Sequence, residues 1–89
     1  MNIMDEDLLV WDREFDEAII GVSESWHGNM LVSRVAYDAD KILFLMTSRM
    51  GMTVEEAVDN LEINMIGRYE GDQTPIVVWR KTPEEVLGD

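Results

Sequence analysis

Histidine occurs once in this chain, as His27, and cysteine does not occur at all. Those two counts limit the chemistry severely. A zinc site built from several imidazoles or thiolates has no ligands to draw on. A Ser-His-Asp arrangement would have to run through His27, with Ser23 or Ser25 as the nucleophile. The stretch Gly21-Val22-Ser23-Glu24-Ser25 lacks the second glycine of a nucleophile elbow, and no helical pattern follows it. Flanked by Gly28 and Asn29, His27 reads as a turn residue.

The carboxylates offer more combinations. Asp38-Ala39-Asp40 opens like a calcium loop, but that register puts Leu43 where the loop turns on glycine and Arg49 where a bidentate glutamate belongs. Glu55 with Glu56, or Asp59 with Glu62, has the spacing of a metal-ligating or acid/base pair. With no histidine near them, and on the solvent side of the helix they belong to, they read as a hydrated surface. Gly51, Gly67 and Gly71 stand too far apart to cradle a phosphate. No catalytic residue, cofactor site or metal ligand is assigned, and the expectation is a protein that is not an enzyme.

What remains is charge. Nineteen acids face seven bases, a net charge of −12. The first seventeen residues alone hold Asp5, Glu6, Asp7, Asp12, Glu14, Asp16 and Glu17 against the single base Arg13. A field of this sign repels nucleic acids and anionic membranes and steers the protein toward basic surfaces. Direct nucleic-acid binding and membrane binding are therefore not expected. The candidate partner-binding residues are those seven acids together with Glu55, Asp59 and Glu62. Rows of carboxylates on a small rigid domain can also imitate the phosphates of a duplex and fill a DNA-binding groove. The plainer alternative is that the acids serve only solubility.

These residues must be positioned by a single domain, since 89 residues cannot supply a second core. Residues 1–17 form an acidic arm or a short amphipathic helix, with Leu8, Trp11 and Phe15 on one side at helical spacing. Residues 18–79 form the globular part. Two β-rich runs, 18–26 and 30–37, flank His27-Gly28-Asn29 and predict a hairpin, with Gly21 marking a bulge or close approach. Asp38 caps a first helix that runs to about Met50 and ends at Gly51. Its run Ile42 to Met46 is apolar on every side, as a core helix requires.

Thr53 and Glu56 make a capping box for a second helix that closes at Gly67 with a left-handed cap. Val54, Ala57, Val58, Leu61 and Met65 form its apolar stripe, while Ile63 and Ile66 lie on another side. Residues 74–79 predict a third strand, and Thr82-Pro83-Glu84-Glu85 opens a short helix within the tail, 80–89. The expected fold is α+β: a small antiparallel sheet, in the order β-β-α-α-β, packed on two helices. The acidic start lacks a signal-peptide pattern, and no apolar run approaches the ~20 residues of a membrane span, so a cytoplasmic protein is expected.

Val35-Ala36-Tyr37-Asp38, Gly-Met-Thr-Val-Glu-Glu-Ala at 51–57, Asn64-Met65-Ile66-Gly67, Tyr69, Gly71 and Thr74-Pro75-Ile76 resemble a group of short phage and bacterial proteins with no assigned function. The resemblance spans residues 18–79. It implies an accessory protein acting in a bacterial cell, and it carries no active residue across. The leading expectation is thus an acidic binding protein that occupies a basic surface of a host nucleic-acid-handling or defence protein. The alternative is a homo-oligomeric, for instance homodimeric, assembly protein using Trp11, Phe44, Ile63 and Ile66 as contacts. The third is a small ligand-binding domain or enzyme, for which Asn64, Tyr69 and Thr74 are the contact candidates.

Overall fold

The computed structural model describes residues 8–88. From Leu8 to Asp12 the chain has no regular secondary structure, and a tight 3-10 turn, Arg13–Ala18, follows. No α-helix forms over residues 8–18, yet Phe15 and Ala18 are buried, and Leu8 and Trp11 pack against the core. The arm is fastened by one specific bond as well. The Trp11 backbone N–H donates to the Tyr37 hydroxyl at 2.9 Å, and the two rings stack with centroids 4.6 Å apart. Burial pushes the Tyr37 phenol up, and the Trp11 N–H offsets this only in part.

The hairpin forms as the alternation and turn residues dictate. Strand β1 (Ile19–His27) pairs antiparallel with β2 (Met30–Asp38), leaving a two-residue loop at Gly28-Asn29. Gly28 has a φ of +60°, and no residue other than glycine has positive φ among the described residues. A single positive φ at the first loop position is the type II′ pattern, which matches strand twist. The register slips between Ile19 and Gly21, so Gly21 does mark a bulge.

Helix α1 (Ala39–Ser48) follows directly, its first turn held by the Asp38 carboxylate, which accepts from the Asp40 N–H at 3.1 Å. Burial works to raise the Asp38 carboxyl, but its bond to Arg80 and the adjacent amides prevail and hold it below its ordinary value. Ile42, Leu45 and Met46 are fully buried, as expected of a core helix. The helix stops two residues earlier than its apolar pattern suggested. Thr47 and Ser48 turn their hydroxyls back onto the carbonyls of Leu43 and Phe44, and Gly51, at φ +71°, reverses the chain.

Helix α2 (Val54–Asn60) starts with the expected capping box: Thr53 Oγ1 accepts from Glu56 N–H at 3.1 Å, and Glu56 Oε1 accepts from Thr53 N–H at 2.9 Å. It continues into a π-helical segment, Leu61–Ile66, closed by a Gly67 N–H to Glu62 carbonyl bond of 2.8 Å. Two details of the expected helix change. Val54 faces solvent while Ala57, Leu61 and Met65 carry the buried stripe. Gly67 is not a left-handed cap, since its φ is −82°. Glycine is needed there for room: a Cβ would stand 2.8 Å from the Glu62 carbonyl oxygen and 3.3 Å from that of Ile63.

Strand β3 (Ile76–Val78) completes the sheet in the order β1-β2-β3, and here the expected all-antiparallel sheet is corrected. β3 pairs with β2 in parallel, Ala36 opposite Ile76 and Asp38 opposite Val78. A parallel neighbour needs a long crossover, and α1 with α2 supplies it. The sheet is mixed, within the α+β class and in the element order expected. Helix α3 (Pro83–Leu87) carries its own capping box, Thr82 with Glu85, which draws the Glu85 carboxyl down chiefly through the Thr82 backbone bond. Among the described residues no helix is long and apolar enough to cross a membrane.

Candidate functional site

The acidic residues divide into those that are neutralised locally and those that are not. Asp5, Glu6 and Asp7 lie outside the described residues. Glu17 is neutralised: Arg49 binds its carboxylate through both guanidinium nitrogens, and Lys41 Nζ stands 3.9 Å away. The Arg49 bond and charge, with a smaller contribution from Lys41, hold the Glu17 carboxyl below its ordinary value. Asp38 is held by Arg80 at 2.9 Å, and Arg68 stands 3.5 Å from Glu70.

Asp12, Glu14 and Asp16 stand exposed around the 3-10 turn, and Glu55, Asp59 and Glu62 stand exposed along α2 and its π-helical continuation. None of these six has a base within ion-pair distance among the described residues. Helix geometry explains the second group. Glu55, Asp59 and Glu62 fall opposite Ala57, Leu61 and Met65, so burying the apolar stripe turns the carboxylates outward. Glu56 is engaged, its carboxylate being the second half of the capping box.

His27 sits at the hairpin end between two partners. Arg34 Nη2 is 2.7 Å from its Nε2, and Asp72 Oδ1 is 3.8 Å from its Nδ1. Arg34 Nε also donates to the Asp72 carbonyl at 2.7 Å, which ties the hairpin to the 67–75 loop. Of the three ligand-contact candidates, Tyr69 and Thr74 are used within the same framework. Tyr69 donates to Asp72 Oδ1 at 3.1 Å, a bond that pushes its phenol up. Thr74 Oγ1 donates to the Gly71 carbonyl at 2.6 Å and accepts from the Glu70 N–H at 2.7 Å. The Asn64 side chain stays on its own helix: its Nδ2 donates to Asn60 Oδ1, one turn back, at 2.6 Å. Among the described residues no buried side-chain nitrogen or oxygen lacks a partner, and no three His, Cys, Asp or Glu side chains are grouped to hold a metal ion.

The expected oligomer contacts separate. Phe44, Ile63 and Ile66 are exposed, at 53%, 68% and 49%, while the Trp11 indole is half-buried against Tyr37. The Lys41 ammonium lies 5.1 Å from the centre of the Phe44 ring.

Between the N-terminal arm, the end of α1 and the flank of α2 lies a cleft of about 410 Å³. Its apolar wall is made by Trp11, Phe15 and four methionines, Met46, Met50, Met52 and Met65. The Asn60 and Asn64 amides and the Arg68–Glu70 pair add polar groups. A shallower groove of about 510 Å³ adjoins it and shares Met50, Met52, Asn60 and Asn64. Seven methionines in 89 residues was the available signal. Met46 and Met65 read as core, and Met50 and Met52 sit in the α1–α2 connection, where no periodicity pointed to them.

No family model, curated protein sequence or solved structure matches this chain.

Proposed function

We propose that this protein is a non-enzymatic binding protein whose acidic surface occupies a basic surface on another protein. The observation that carries the reading is the division of the carboxylates. Lys41 and Arg49 are both spent on Glu17, whereas Asp12, Glu14, Asp16, Glu55, Asp59 and Glu62 project without a base among the described residues. Fixed carboxylates on a helix and a docked turn keep their spacing when a partner approaches, and opposed fields accelerate encounter. The partner surface that best complements such rows is one built to hold a phosphate backbone, so the occupant acts as a duplex mimic. The resemblance of residues 18–79 to short phage and bacterial proteins sets this in a bacterial cell, as inhibition of a nucleic-acid-handling or defence protein.

The test is competitive elution. The tagged protein is exposed to bacterial lysate, washed, and eluted in parallel with added salt and with duplex DNA. Release of the same captured protein by both agents supports the proposal. Capture that resists salt and duplex DNA alike contradicts it.

A homo-oligomeric assembly protein is the second reading, favoured by the exposure of Ile63 and Ile66 on one helix. Light scattering at high protein concentration decides it, since a monomer there removes the self-contact.

A further inference from the structure

The acidic reading leaves the methionine-lined cleft without a task, yet the two share a border. The cleft and its neighbouring groove share Met50, Met52, Asn60 and Asn64 in their walls, and we treat the two together as one trough beside α2. Methionine is unbranched and polarisable, so a wall of such side chains adapts to apolar groups of differing shape. Met50 is 37% exposed and already faces solvent.

The rim is acidic on balance. Asp12 at the deeper end and Asp59 at the shallower have no base beside them among the described residues, while Glu70 is paired with Arg68 and the Glu56 carboxylate caps α2. The one base among the described lining residues is Arg68, which stands beside Glu70. An anionic ligand is repelled from such a rim, and so is a second copy of a chain carrying −12. A partner that suits both floor and rim must offer apolar groups in a row with positive charge on either side. An amphipathic helix does so, presenting anchors at i, i+4 and i+7 and bases on its flanks.

Resting on the acidic reading proposed above, we infer that the trough receives the apolar face of a basic amphipathic helix of the partner, Met50 and Met52 gripping its anchors over the buried Met46 and Met65 while Asp12 and Asp59 meet its lysines and arginines. The partner's basic surface would then include a helical segment, and specificity would come from the apolar stripe rather than from charge alone.

The test uses the full chain carrying Trp26→Phe and Trp79→Phe, both at exposed positions, so that Trp11 on the trough wall is the only indole. Two synthetic Lys/Leu peptides of ~15 residues, about 22 Å long as helices, serve as probes. They have the same composition, one with leucines at helical spacing and one with the stripe scrambled. The striped peptide should bind about tenfold more tightly or better and shift Trp11 emission to the blue. Met50→Ser should weaken it by about tenfold and leave the scrambled peptide unchanged, which also controls for folding.

Equal affinity for the two peptides, indifferent to Met50→Ser, would overturn the trough inference while leaving the acidic reading intact. If neither peptide binds at low ionic strength, both fall. A Trp11 shift that appears with protein concentration alone, in step with a doubling of mass by light scattering, would give the trough to a second copy and overturn the inference too.

Discussion

Replacing Tyr37 by phenylalanine isolates the bond that fastens the N-terminal arm. The Tyr37 side chain has no exposed surface, and its hydroxyl accepts the Trp11 N–H at 2.9 Å. Phenylalanine keeps the ring, and with it the stacking against Trp11. What is lost is one acceptor, leaving the Trp11 amide to find water or go without. An unsatisfied buried donor costs about 1–3 kcal/mol; the half-buried Trp11 amide belongs at the lower end, ~1–2 kcal/mol. In a domain of this size each kcal/mol moves Tm by roughly 4–8 °C, so Tyr37→Phe should melt roughly 5–15 °C below wild type. Since Trp11 and Val10 wall one side of the cleft, the Trp11 emission of the Trp26→Phe, Trp79→Phe background should shift to the red below the melting transition. Circular dichroism and fluorescence melts on the same samples read both effects. A Tm within about 1 °C of wild type, with unmoved emission, would refute the claim that this hydrogen bond holds the arm.

Gly67→Ala should destabilise the fold by about 1–3 kcal/mol although the backbone angle suits any residue, because the new Cβ meets the Glu62 carbonyl at 2.8 Å. A lower urea midpoint at unchanged slope is the expected result, and an unchanged midpoint would contradict the steric account. Arg49→Gln should remove a contribution that depends on pH. The Glu17 carboxyl is depressed in the folded protein, so its ion pair stabilises above the ordinary value of 4.5 and is lost as pH falls through the depressed value. The Tm gap between wild type and variant should therefore hold steady near neutrality and close progressively below pH 4.5. A gap that persists at about pH 2 would contradict the assignment.

The parts of this fold that could be read from the chain are those whose causes lie close in sequence. A capping box needs only residues three apart, and Thr53 with Glu56 and Thr82 with Glu85 form as their spacing requires. The hairpin is announced by Gly28-Asn29 between two β-rich runs. The parallel seat of β3 was not legible, because it depends on how two intervening helices cross the sheet. Nor was the π-helical segment after Asn60, since Leu61 and Met65 satisfy an ordinary helical stripe equally well. For the candidate site, the outward carboxylates of α2 follow from periodicity, but whether a base lies beside them is a tertiary fact. Glu17 shows this: nothing local distinguishes it from Asp16, yet Arg49 reaches it from 32 residues away. The cleft was illegible for the same reason, its wall drawing on residues 10–15, 46–52 and 60–70.

The most direct test of the whole account is the ionic-strength dependence of binding to the captured partner, compared between wild type and a Glu55→Gln, Asp59→Asn, Glu62→Gln variant. These three side chains are exposed and hold nothing else together among the described residues, so the variant should fold as wild type does. Wild-type affinity should fall steeply with added salt, and the variant should bind about tenfold more weakly at low salt with a shallower dependence. Affinities that coincide for the two proteins and ignore salt would contradict an acidic binding surface outright.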